Sequence, residues 1–120
     1  MDILVVDDSR TMRMILQRAI RQAGYRGLNV CEAENGNQAL EKLRGENPKL
    51  ILSDWNMPEM SGLDFLKQLR SAEKTTPFGF VTSEVSAEMR TLAMSSGATF
   101  MISKPFTPDD IQEALSPILG

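Results

Sequence analysis

Four short apolar runs in this chain end in residues able to do chemistry. Ile3–Val6 leads into Asp7 and Asp8, Leu50–Ser53 into Asp54, Phe78–Val81 into Thr82, and Thr99–Ile102 into Ser103 and Lys104. If the runs are parallel strands of one sheet, their exits share an edge, where open α/β sheets hold their ligands. Three carboxylates, a hydroxyl and an ammonium then converge. Two carboxylates about 4 Å apart repel by about 4 kcal/mol at an effective dielectric of about 20, so the group calls for a cation. Oxygen ligands without His or Cys select a hard ion, and a small site that keeps several waters suits Mg2+. A carboxylate beside such an ion can act as a nucleophile toward phosphorus and form an aspartyl phosphate. The transferring oxygens need positive charge and hydrogen-bond donors, which Lys104 and the Thr82 hydroxyl can supply.

These groups need elements that bring the run ends together. Ile3–Val6 and Leu50–Ser53 are too short and apolar for surface helices and read as strands buried on both faces. Between them, Met12, Ile15, Leu16, Ala19, Ile20 and Ala23 place an apolar stripe along a helix over residues 11–23, stopped at Gly24. Leu28–Ala33 is a weaker strand, and Asn35 with Gln38 opens a helix through Leu43 that Asn47-Pro48 ends. Ser61 caps a helix carrying Leu63, Phe65, Leu66 and Leu69, with Asp64 in its first turn. Phe78–Val81 is a strand that Gly79 weakens. Ser86 opens a helix with Met89, Leu92 and Ala93 on one side, closed by Gly97. Thr107-Pro108-Asp109-Asp110 starts the last helix, which Ile111, Leu115 and Ile118 carry inward. Strands alternating with helices imply an α/β fold, a doubly wound parallel sheet with helices on both faces.

Composition narrows the function. The 120 residues suit one domain spanning 1–120, and 42% apolar with 24% charged residues suits a globular protein. No apolar run approaches the roughly 20 residues of a membrane span, and Asp2 after Met1 argues against a signal peptide. Cys31 is the only cysteine, which points to a reducing, cytoplasmic setting. The net charge of −3 leaves no basic footprint for nucleic acid. There is no histidine, which removes His-based triads, His-ligated zinc and a phosphohistidine on this chain.

In order along the whole chain, VVDDSRTMR, SDWNMPEMSG, VTSE and KPF resemble the receiver domain of two-component response regulators. DWNMP is most similar to the single-domain chemotaxis regulators of the CheY type. That resemblance implies a flavodoxin-like, five-stranded parallel sheet of order 2-1-3-4-5. It implies that Asp54 is the phosphoacceptor and that Asp7, Asp8 and Asp54 hold Mg2+, Asp8 more directly than Asp7, with the Asn56 backbone carbonyl completing the shell. Thr82 would be the switch hydroxyl and Lys104 its counter-charge, with a cis Lys104-Pro105 bond. Asn56 and Glu84 occupy positions that tune loss of the phosphoryl group. The implied donor is a phosphohistidine on a sensor histidine kinase. The implied output is a protein target such as a flagellar motor switch component, with a phosphatase as a further partner. Such a module assists its own phosphorylation and dephosphorylation without being an enzyme, and binds neither DNA nor membrane.

Met101 departs from the pattern, standing where the family commonly has a Tyr or Phe that turns inward with the switch threonine. Phe100 cannot replace it, because successive strand side chains face opposite ways. Ser9 and Arg10 fall at positions that vary among chemotaxis regulators, so a receiver with another output partner stays open. Other classes differ at particular residues. A flavin carrier would need small residues at the first loop, where Asp7-Asp8 repels a phosphate. A phosphatase with an aspartate nucleophile would need an acid at Ser9. A scaffold-only receiver is at odds with the complete set of acids, Thr82 and Lys104.

Overall fold

The alternation of strand side chains builds two cores, one on each face of a single sheet. The structure, a computed structural model, describes residues 1–120. Its elements are β1 (Ile3–Val6), α1 (Arg10–Gln22), β2 (Val30–Ala33), α2 (Gly36–Lys42), β3 (Leu50–Ser53), α3 (Gly62–Ser71), β4 (Phe78–Thr82), α4 (Ala87–Ser95), β5 (Phe100–Ser103) and α5 (Pro108–Leu119). All strand pairs are parallel and the order is β2-β1-β3-β4-β5, the doubly wound arrangement expected. Leu4, Val6, Ile51, Phe78, Phe80 and Met101 pack with α2, α3 and α4. Ile3, Val5, Leu50, Leu52, Val81 and Ile102 pack with α1 and α5 on the other face.

Register decides what meets at the strand exits. Val6 pairs with Ser53, so Asp7 and Asp54 leave the sheet as neighbours. Thr82 pairs with Ser103, so Lys104 emerges beside them from β5. The helices start at side-chain caps: Ser9, Asn35, Ser61, Ser86 and Thr107 each accept a backbone N–H three residues on. Because Ser9 caps α1, the Asp8 carboxylate is not used as a cap. Gln38 reaches past Asn35 to accept from the Glu34 N–H at 2.8 Å.

Some local expectations give way to packing. Gly79 lies inside β4 because the Phe100 ring fills its place: a Cβ there would sit 2.1 Å from that ring. β2 begins at Val30, leaving Leu28 outside it. β5 runs one residue later than the apolar run suggests, so Ser103 is its last residue. On α4 only Ala93 is buried, and Leu92 is exposed. On α1, Ile15 faces solvent while Arg13 is buried in line with Leu16 and Ile20. No helix is long and apolar enough to cross a membrane.

Candidate functional site

β1, β3 and β5 deliver the acids and the ammonium to one edge. One carboxylate oxygen from each of Asp7, Asp8 and Asp54 lies within 4.8 Å of the others. Oxygens sharing one Mg2+ at about 2.1 Å can be at most about 4.2 Å apart. Only opposite positions of the octahedron reach that distance and adjacent ones lie about 3 Å apart, so the carboxylates would have to close in on one another to share a single ion. The donors are all oxygens, as a hard cation requires, and these residues fit Mg2+. The three acids differ in setting. Asp7 is 1% exposed, and its Oδ1 accepts the Ser9 N–H at 2.9 Å while its Oδ2 faces Lys104 Nζ at 3.1 Å. Asp8 is exposed.

Asp54 stands between these extremes. Its Oδ1 accepts the Trp55 N–H at 2.8 Å, and its Oδ2 lies 3.6 Å from Lys104 Nζ. Burial pushes its pKa above the ordinary 3.8; the Lys104 ammonium opposes the rise, Asp7 reinforces it, and the Trp55 N–H opposes it. Desolvation outweighs the ion pair, so the charged form of Asp54 is held under stress. Lys104 thus bridges two acids, and its backbone N–H donates to the Thr82 carbonyl at 3.0 Å. The Lys104-Pro105 peptide is cis.

Thr82 is 1% exposed, and its Oγ1 has only a long 3.5 Å contact with the Glu84 N–H. Its hydroxyl is therefore weakly held. Asn56 and Glu84 lie exposed on the β3–α3 and β4–α4 loops, which leave the sheet at this edge. Met101 is buried on the α2–α4 face, paired in register with Phe80, while Phe100 packs on the opposite face. Phe80 in turn packs on Trp55 with ring centroids 4.7 Å apart.

The residue patterns missed one group that touches this edge. Arg13 donates from Nη1 to the Asp7 carbonyl at 2.7 Å and from Nε to Glu32 Oε1 at 2.8 Å. The signal was its spacing: residues 13, 16 and 20 share one helix face, and the other two are apolar.

Comparison with known proteins bears on this geometry. The sequence pattern of the response regulator receiver domain matches residues 3–116. The chemotaxis protein CheY1 of Helicobacter pylori is 42% identical over 123 aligned residues, which cover 100% of this chain and 98% of that protein. A chemotaxis protein CheY homologue of Campylobacter jejuni is 40% identical, covering 100% of this chain and 93% of that one. Among solved structures, chemotaxis protein CheY4 of Vibrio cholerae superposes with a TM-score of 0.86 at 35% identity, over 98% of both chains.

Proposed function

The chain belongs to the response regulator receiver domain family, and on that premise we propose that it is a signalling module switched by phosphorylation of Asp54. The observation that carries this is the placement of the Asp54 carboxylate, half-buried, 3.6 Å from Lys104 Nζ and gathered with Asp7 and Asp8 within 4.8 Å. In the proposed reaction an Asp54 oxygen attacks the phosphorus of a phosphohistidine on a sensor histidine kinase. The O–P bond forms as the N–P bond breaks, and the leaving imidazole keeps the electron pair and is protonated. Asp7, Asp8, Asp54 and the Asn56 carbonyl would hold Mg2+, which when bound neutralises charge on the acids and on the transferring oxygens.

The chain's own groups do the rest. Lys104 is the nearest cation to the new phosphoryl oxygens and shifts toward them from Asp7. Thr82, weakly bonded at Oγ1, is free to donate its hydroxyl to the same oxygens. Phosphorylation adds charge and three acceptor oxygens, and it biases the loops only as far as those contacts differ between the two states. The loop from Thr82 leads into α4 and Lys104 follows β5, so the response reaches the face of α4, β5 and α5. Met101, buried beforehand, leaves little for an inward aromatic swing to add. Asn56 and Glu84, exposed beside the pocket, would set access of water or a phosphatase to the phosphoryl group.

The relatives named above are chemotaxis proteins, which supports a chemotaxis role with a protein target such as a flagellar motor switch component. A cytoplasmic setting belongs to the same reading. The test is incubation with acetyl phosphate and Mg2+: wild type incorporates acid-labile phosphate and Asp54→Asn incorporates none. Undiminished labelling of the variant would move the acceptor elsewhere.

A further inference from the structure

Arg13 is a charged side chain drawn into the apolar stripe of α1, 7% exposed, and no part of the proposed reaction uses it. A buried guanidinium is costly unless its donors are satisfied by well-placed partners. Its partners here are Glu32 on β2 and the backbone carbonyl of Asp7. The Asp7 backbone is consequently held from both sides. Its N–H donates to the Ala33 carbonyl at 3.1 Å, and its carbonyl accepts from Arg13 at 2.7 Å. That carbonyl belongs to the peptide joining Asp7 to Asp8. The Asp8 side chain is exposed, with no hydrogen bond or ion pair of its own, so the peptide behind it is what aims it.

We propose that Arg13, anchored by Glu32, is a positioning residue for the acidic pocket: it fixes the Asp7-Asp8 peptide so that the Asp8 carboxylate is presented to a divalent cation. The inference rests on the reading of these acids as a Mg2+ site and adds a residue that touches neither ion nor phosphate. An apolar residue at position 13 would fill the helix face equally well but would leave the Asp7 carbonyl without its donor. Groups that orient metal ligands from behind typically contribute about 10- to 100-fold to metal affinity.

Trp55, the only tryptophan, follows Asp54 directly and donates its backbone N–H to that carboxylate, so its fluorescence is the signal followed. Mg2+ titrations at a temperature where circular dichroism shows each protein folded compare wild type with four variants. Arg13→Met fills the space without donors and should weaken Mg2+ binding about tenfold or more. Glu32→Gln keeps an acceptor but loses the anchoring charge, and should weaken binding less. Arg13→Lys should recover part of the affinity that Arg13→Met loses. Arg70→Met removes an arginine remote from the pocket and should leave the Mg2+ dissociation constant unchanged. A folded Arg13→Met with wild-type affinity overturns the inference alone. So does an equal loss in Arg70→Met, which would mean general loosening. If Arg13→Met does not fold, wild-type affinity in both Glu32→Gln and Arg13→Lys overturns it. Wild type that binds no Mg2+ removes the metal reading and the inference together.

Discussion

Asp54 and Arg70 sit at opposite edges of the sheet, and burial pushes each toward its neutral form. They resolve that stress differently. Arg70, at the end of α3, has no carboxylate partner, yet its guanidinium makes four hydrogen bonds to backbone carbonyls. Nη1 donates to Lys74 at 2.8 Å, Nη2 to Thr76 at 2.9 Å and to Gly97 at 2.8 Å, and Nε to Gly97 at 3.3 Å. It ties α3 to the segments that lead into β4 and β5. Asp54 has one oxygen held by Trp55 and the other facing an ammonium shared with Asp7. The structural charge has four of its five N–H donors paired with carbonyls; the charge at the proposed reactive edge keeps more of its capacity in reserve. Two carboxylates about 4 Å apart repel by about 4 kcal/mol at an effective dielectric of about 20, and the repulsion is lowered here where Lys104 bridges Asp7 and Asp54 and where Asp8 faces solvent. Burying two leucine-sized side chains offsets that, at about 1.5–3 kcal/mol each. The fully buried strands beneath supply many more.

The contrast can be broken or sharpened by measurement. The largest effect expected is from Mg2+ itself: at about 100 times its dissociation constant it should stabilise the folded chain by about 2.7 kcal/mol, if it binds only that state. Thermal unfolding with and without Mg2+ checks this, and an unmoved midpoint would mean that the acid edge holds no ion. Next comes Arg70→Met, which leaves the Lys74, Thr76 and Gly97 carbonyls without these donors. It should cost about 2 kcal/mol by denaturant titration while leaving phosphorylation intact. A loss below about 0.5 kcal/mol would mean that water replaces the guanidinium at no cost and that these bonds do not hold the far edge.

The smallest effect has the opposite sign. Because the folded pKa of Asp54 is raised above 3.8, the folded chain keeps a proton there that the unfolded chain has lost, over the interval between the two values. Stability contributed by this group is complete below 3.8, falls as pH rises through the folded value, and stays lower at neutral pH. Asp54→Asn should therefore stabilise the Mg2+-free protein at pH 7, read as a raised unfolding midpoint. The gain should vanish at a pH below the unfolded value. A variant less stable than wild type at pH 7 would mean that the Lys104 pair outweighs burial.

Much of this was legible in the residue order. The apolar runs located the strands, and their terminal residues located the edge, because parallel pairing leaves an acid or a lysine no other way to turn. Val6 pairing with Ser53 and Thr82 with Ser103 are what convert a list of strand ends into a site. The readings that failed share a cause. Hydropathy treats Arg13 as solvent-facing and Ile15 as core, but burial of Arg13 depends on Glu32 and on the Asp7 carbonyl, partners brought together only by tertiary folding. Gly79 reads as a weak strand residue until the Phe100 ring is seen to lie over it. Leu92 looks like a core position on α4, yet it is Ala93 that is buried there, with Met89 packed partly against the same core. Local pattern describes what a residue prefers, and these positions are decided by what arrives from elsewhere in the chain.

The most direct measurement of the reactive edge is the intact mass of the protein after exposure to acetyl phosphate, with Mg2+ and with the ion chelated. The expected result is the gain of a single phosphoryl group in wild type that requires Mg2+ and is absent in Asp54→Asn. A gain that is independent of Mg2+, or that survives in the variant, would contradict the assignment of Asp54 as an acceptor made reactive by its acidic neighbours.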